Sequence, residues 1–142
     1  MCHMPRSDDP NLANDAVLLR RVLDKPAEWF THVDGVLRVS SAAFRDSINE
    51  VSVNVASETT IEDVLKGNED NGVVSITTGV PRELKHIVSK TLDPGDPEDP
   101  SHRVICPLPE VTSSQIRKMA KSMAIAASWM MLPQSEREAT AC

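Results

Sequence analysis

Aromatic side chains are scarce in this chain, which has two Trp, two Phe and no Tyr among 142 residues. Proteins that bind single-stranded nucleic acid stack bases on aromatic rings and neutralise phosphates with clustered Lys and Arg. Here 21 acidic residues outnumber 15 basic ones, and the formal net charge is −6. We therefore expect an aliphatic core and consider a nucleic-acid partner unlikely on these grounds.

Long apolar runs are also missing, since no segment approaches the roughly 18 consecutive apolar residues that a membrane span requires. Residues 1–10 are polar and charged, unlike a signal peptide. The cysteines Cys2, Cys106 and Cys142 form no C-x-x-C pair, and their odd number argues against a disulfide framework. These absences predict a cytoplasmic protein that makes no membrane contact.

Cofactor and metal motifs are absent as well. The five glycines are scattered, and none belongs to a G-x-G-x-x-G or G-x-x-x-x-G-K phosphate loop. Cys2 and His3 could be combined with Cys106 or Cys142 as zinc ligands, but these spacings match no zinc finger or ribbon. We expect neither a cofactor nor a metal.

The overall composition, 40% hydrophobic and 25% charged, is typical of a globular protein of one domain. Residues 1–13 and 134–142 lack apolar periodicity, so we expect flexible tails around a single domain at 14–133. Within this domain, the acidic, proline-rich stretch 93–100 predicts a solvated loop.

Alternation of apolar and polar residues predicts strands. It is clearest where Val51, Val53 and Val55 point one way while Glu50, Ser52 and Asn54 point the other. The predicted strands are residues 36–39, 50–55, 73–78 and 102–106.

Capping residues and an apolar spacing of three to four predict helices. Thr112 and Gln115 have the spacing of a capping box at the start of the longest one. The predicted helices are a first that Asn14 or Asp15 caps and that runs through Leu23, a second between Thr59 and Gly67, a third from Pro81 to about Lys90, and a fourth from Thr112 to about Leu132. This order predicts an α+β (or mixed α/β) fold, a two-layer sandwich of about four strands with a long C-terminal helix packed on one face.

One polar surface of the predicted sheet is a candidate ligand site. Arg38 would bind an anionic group, Ser40 and Ser52 would supply hydrogen bonds, and Glu50 and His102 are weak candidates for acid and base chemistry. The alternative is a solvated sheet face with a cross-strand pair of Arg38 and Glu50, which is a common arrangement.

The end of the predicted long helix is a candidate partner-binding surface. Trp129 and Met130 would anchor a second protein or a second copy of this chain, unless they complete the chain's own core. We therefore expect a small non-catalytic accessory or interaction protein, such as an inhibitor, an immunity-type protein or a subunit of a larger assembly. The alternative is an enzyme or ligand-binding protein for a small anionic or nucleotide-like molecule.

Overall fold

A computed structural model describes residues 6–90 and 99–140 of the chain. Within these ranges, six strands form one antiparallel sheet and two more form a separate hairpin. In chain order, the strands are β1 Val17–Val22, β2 Phe30–Val33, β3 Val36–Val39, β4 Val51–Val55, β5 Gly72–Thr77, β6 His86–Lys90, β7 His102–Pro107 and β8 Ser128–Met131. The helices are α1 Ile61–Val64, α2 Gly79–Glu83, α3 Ser113–Ala126 and α4 Gln134–Thr140. The order across the large sheet is β6-β7-β4-β1-β5-β8, so β4 and β1 are central and β6 and β8 are the edges.

The predicted sandwich of about four strands with a long C-terminal helix is wrong, because three segments expected as helices contain the strands β1, β6 and β8. The four predicted strands are present as β3, β4, β5 and β7. The capping box of Thr112 and Gln115 is confirmed at the start of α3, whereas Thr60, not Thr59, caps α1.

β1 has the apolar spacing of a helix because both of its faces are covered. Leu18 and Val22 lie in the main apolar cluster, while Leu19 packs in a second cluster with Leu65 and Val73. A strand that is buried on both faces loses the alternation by which strands are recognised. The sequence pattern alone therefore does not distinguish it from a helix.

The other two predicted helices end early, where backbone conformation and tertiary contacts intervene. Lys85 follows α2 with a φ of 58°, in the left-handed region, and β6 begins after it. Ala127 follows α3 in an extended conformation. Beyond it, the Trp129 ring packs edge to face on Phe30 with centroids 6.2 Å apart, and β8 pairs with β5. Such contacts outweigh helix propensity, which is a weak preference.

The two faces of the large sheet differ in what covers them. On one face, which we call the core face, valines of β4 and β5 pack with α3 through Met123 and with the 3-10 turn Ser41–Phe44. On the opposite face, which we call the cleft face, α1 covers only the second apolar cluster. Ser52, Asn54 and His102 belong to the cleft face, since Asn54 pairs directly with His102 and side chains alternate along each strand.

Arg82 fastens the segment before β1 to the rest of the fold. Its Nη2 donates to Asp8 Oδ2 at 2.9 Å, and its Nη1 donates to Asn14 Oδ1 at 2.7 Å and to Leu12 O at 2.8 Å. One guanidinium thus holds residues at both ends of the 8–14 segment, in the planar fork geometry that suits Arg.

The same segment covers the outer edge of β6. Asp9 N donates to Val88 O at 2.8 Å, and Val88 N donates to Asp8 Oδ1 at 3.0 Å. The Asp9 carboxylate accepts a 3.0 Å bond from Arg103 Nε, with these side chains only 8% and 6% exposed. Removal of either partner would leave a buried charge without its counter-ion, which typically costs about 3–5 kcal/mol.

The segments expected as tails are described in part. Besides the contacts of residues 8–14, Ser135 at the start of α4 donates from both N and Oγ to the Asp24 carboxylate. Residues 1–5, 91–98 and 141–142 lie outside the described residues, and with them Cys2, Cys142 and most of the predicted acidic loop. None of the helices in the described ranges is long and apolar enough to cross a membrane.

The start of β5 lies against the backbone that follows β8, so a side chain at Gly72 has no room. A Cβ there would lie 2.8 Å from Met131 O and 2.9 Å from Pro133 Cδ. We expect Gly72→Ala to lower the free energy of unfolding by about 1–3 kcal/mol, as overpacking does. Urea denaturation measures this, and Ser75→Ala on the same strand is the control, with an expected change within about 0.5 kcal/mol. Equal stability of the two variants would contradict the close approach.

His86 makes the fold sensitive to acid. Its side chain is buried on β6, and Nδ1–H donates to Leu84 O at 2.8 Å. Burial lowers the pKa of the imidazole below its ordinary value of 6.5, although the bond to Leu84 acts in the opposite direction. The unfolded chain therefore takes up a proton at a higher pH than the folded protein, and stability falls as the pH drops below 6.5 towards the folded-state pKa.

We expect His86→Gln to reduce this acid-dependent loss of stability, because the neutral amide does not titrate. The measurement is the difference in free energy of unfolding between pH 7.5 and pH 5.5, taken from urea titrations of both proteins. Ser75→Ala, which changes no titratable group, is the control and is expected to retain the wild-type dependence. An undiminished dependence in His86→Gln would assign the acid sensitivity to other groups.

Candidate functional site

A polar cleft lies on the cleft face, between the segment 58–66 and the strands β1, β4 and β7. It has a volume of about 610 Å³, within the range of small-molecule sites. Ser52, Asn54 and His102 line it from the sheet, while Asp99 and Pro100 lie at its other side. We call this cavity the large lobe.

A second cavity of about 300 Å³ adjoins the large lobe, and we call it the small lobe. Three residues line both lobes, namely Arg20, Ser52 and His102. Asp46 and Glu50 line the small lobe alone, and Glu50 Oε1 accepts a 2.7 Å bond from Arg6 Nε. Arg6 also lines the small lobe and compensates Glu50, so Asp46 supplies the carboxylate of this lobe that has no ion pair.

Arg20 leaves β1 on the same side as Leu18 and Val22, which face the core, and backbone carbonyls fix its side chain where it also lines the junction of the two lobes. Its Nε donates to Ala43 O at 2.7 Å and its Nη1 donates to Ser52 O at 2.9 Å. The pairing of β1 with β4 ends just before it, at Leu19 and Asn54. The guanidinium thus bridges β1 and β4 beyond their last residue pair. Its Cζ lies 5.7 Å from the centroid of the Trp29 ring, which is a cation–π distance.

Burial lowers the pKa of the Arg20 guanidinium to about 10; the positive charge of Arg21 acts in the same direction, and the carboxylate of Asp46 raises it. Because this value is well above 7, Arg20 remains a cation at neutral pH. A partly desolvated cation interacts more strongly with an anion than an exposed one does, since water screens the interaction less.

Two further cations line the large lobe. Arg21 and Lys66 make no side-chain hydrogen bond or ion pair with another described residue. Both are exposed. They are therefore available to an anion that enters the large lobe.

Most of the carboxylates around the large lobe already have partners. Glu58 accepts from Arg103 Nη2 at 3.4 Å, and Asp99 accepts from Asn54 Nδ2 at 3.1 Å and from Ser101. Among the described residues of this lobe, Asp63 is the carboxylate that has no such partner. Asp99 has only neutral partners, so two carboxylates without an ion pair, Asp63 and Asp99, lie opposite the three cations Arg20, Arg21 and Lys66.

The structure brings together only part of the site predicted from the sequence. Three of the predicted residues, Glu50, Ser52 and His102, line the same cavity, the small lobe. Arg38 lies instead on the hairpin, exposed on β3 opposite Thr31, and Ser40 Oγ donates to Glu28 O at 2.7 Å. The proposed anion contact at Arg38 and its neighbour Ser40 are therefore not part of this cleft.

Trp129 and Met130, the predicted partner-binding residues, have different surroundings. Trp129 is directed inward, where its Nε1–H donates to Leu37 O at 3.1 Å. Met130 is 49% exposed on β8, at an edge of the large sheet. Of the two, Met130 is the residue that a partner could reach.

Sequence reasoning missed the cations of the cleft. Arg20 and Arg21 lie in the segment predicted as a helix, and Lys66 lies in the turn after α1. One signal was available: two consecutive arginines inside the apolar run 17–22 place a charge in a buried element, which requires a compensating partner. Within the described ranges, no group of three or more His, Cys, Asp or Glu is arranged to hold a metal ion.

Comparisons of the chain with protein-family models, with curated proteins and with solved structures find no match.

Proposed function

We propose that this protein binds a small molecule with an oxyanion group, a carboxylate or a phosphoryl group, in the large lobe. The observation that carries the proposal is the set of cations in this lobe, Arg20, Arg21 and Lys66, against one carboxylate without a partner, Asp63. With Glu58 ion-paired to Arg103, these three cations outnumber Asp63 and Asp99, the two carboxylates of the lobe that have no ion pair, in a protein whose net charge is −6.

The neutral groups of the lobe suit the same kind of ligand. Ser52 and Thr59 supply hydroxyl groups that can bind the polar atoms of a metabolite or a nucleotide-like molecule. The proposal assigns binding and no reaction. Glu50, the candidate acid or base, is ion-paired with Arg6 and lines the small lobe.

The test is isothermal titration calorimetry with phosphate, citrate and AMP at low ionic strength, where exposed charges are least screened. We expect saturable binding of at least one of these anions to the wild-type protein. Arg21→Gln removes a charge-assisted hydrogen bond to the anion, and such a bond typically contributes about 1.5–3 kcal/mol. We therefore expect this variant to bind the anion about tenfold or more weakly.

Arg38→Gln is the matched control, because Arg38 is an exposed arginine outside the cleft. Its expected affinity is that of the wild-type protein. The proposal fails if none of the three anions gives saturable heat, or if Arg38→Gln weakens binding as much as Arg21→Gln does.

A second candidate function is protein interaction without catalysis, as expected from the sequence. The specific observation is the β8 edge, which has a strand neighbour on one side only and carries the exposed Met130. Edge strands offer backbone groups for pairing with another chain. The occupant we propose is a second copy of this chain, since two identical edges can pair about a two-fold axis.

This second candidate predicts a mass of twice the monomer in light scattering. Met130→Lys is expected to shift the population to monomer, since charged side chains, and lysine especially, protect edge strands from pairing. Ile125→Lys is the control, because Ile125 is 69% exposed on α3 and lies outside the edge strand. A monomeric wild-type protein, or an equal effect of both variants, would rule out pairing through β8.

We also propose a cytoplasmic location. It is based on the odd number of cysteines without a C-x-x-C pair, which argues against a disulfide framework and fits a reducing compartment, and on the burial of Cys106 in β7.

A further inference from the structure

The geometry points to Arg20 as the primary anion contact, and to a ligand that carries at least two oxyanion groups, one at the junction of the lobes and one in the large lobe. This inference rests on the proposed function, because it specifies which side chains of the cleft bind the ligand and what the ligand must carry.

Arg20 retains unused hydrogen-bond donors at the junction. An arginine side chain has N–H groups on Nε, Nη1 and Nη2, in a fixed plane that matches an oxyanion. In Arg20, Nε donates to Ala43 O and Nη1 donates to Ser52 O, whereas Nη2 makes no hydrogen bond to a described residue. An oxyanion at the junction of the lobes would satisfy Nη2.

The fixed position of Arg20 distinguishes it from the other two cations. Two backbone carbonyls and the Trp29 ring hold its guanidinium, so little conformational entropy is lost when an anion binds. Arg21 and Lys66 are exposed and would have to be ordered by the ligand. Their contribution to affinity is therefore smaller for each hydrogen bond formed.

The distribution of charge around the junction determines where the ligand extends. The small lobe is lined by Asp46 and by the ion pair of Glu50 with Arg6, so Asp46 is the carboxylate that repels a second anionic group there. The large lobe contains Arg21 and Lys66, which attract one. A ligand with one oxyanion at Arg20 and another in the large lobe satisfies both conditions, as a tricarboxylate does.

The first experiment uses Trp29 as a reporter of the junction. An anion bound to Arg20 changes the environment of the Trp29 ring, so titration with citrate is expected to change tryptophan emission with the affinity that calorimetry measures. Trp29→Phe keeps an aromatic ring beneath Arg20 and removes the reporter. In this variant we expect citrate binding by calorimetry with no change in the emission of the remaining tryptophan, Trp129.

The second experiment compares Arg20→Lys with Arg21→Lys. Both keep the charge, but a lysine at position 20 lacks the planar fork that reaches two carbonyls and an anion at once. We expect Arg20→Lys to weaken citrate binding at least tenfold and Arg21→Lys to weaken it less than threefold. Acetate, which has one carboxylate, is expected to bind at least tenfold more weakly than citrate.

The outcomes separate this inference from the proposed function. If citrate binds by calorimetry without a change in Trp29 emission, Arg20 is not the contact and the proposed function stands. If acetate binds as well as citrate, the requirement for two oxyanions is wrong. If neither citrate nor acetate gives heat or emission change, the inference fails for these probes, and phosphate and AMP then decide the proposed function. Should Arg20→Lys fail to fold, the emission experiment on the wild-type protein decides.

Discussion

The partly buried guanidinium of Arg20 is the contact on which both the centre of the large sheet and the cleft depend. The two central strands stop pairing just before it, and its bonds to Ala43 O and Ser52 O connect them to the 3-10 turn on the core face. A charge held away from water needs such compensation, because its desolvation is otherwise costly. The residue that joins the central strands is thus also a cation at the junction of the two lobes, so that packing and the proposed binding would constrain the same side chain.

Ion pairs that hold the fold together also determine which other carboxylates are compensated. Arg82 and Arg103 hold Asp8 and Asp9, and Arg103 also reaches Glu58 beside the large lobe. These pairs neutralise carboxylates that would otherwise repel an anion. The attachment of the segment before β1 therefore contributes to the electrostatics of a cleft formed by other strands, although none of its aspartates lines the large lobe.

Whether a strand can be predicted from the sequence depends on whether one or both of its faces are covered by other parts of the fold. The alternation of residues 50–55 correctly indicated β4 and correctly placed Ser52 on its polar side, together with Asn54, which pairs with His102 on the neighbouring strand. β1 is covered on both faces and has no such alternation, so the segment that contains Arg20 was predicted as a helix and its role was missed. Arg38 was predicted to face the same site, but β3 belongs to a separate hairpin. Which strands share a sheet depends on long-range pairing, which local patterns do not specify.

The two edges of the large sheet differ in a way that limits assembly. The backbone N–H and C=O of Val88 on β6 are already bonded to Asp8 and Asp9, whereas no strand of the described residues lies beyond β8. Growth of a filament by strand addition needs two free edges on every subunit, so that each new copy offers another place to attach. With one edge covered at Val88, the proposed pairing through β8 would close after two copies. In that case the aspartates beside β6 would protect the protein against open-ended polymerisation.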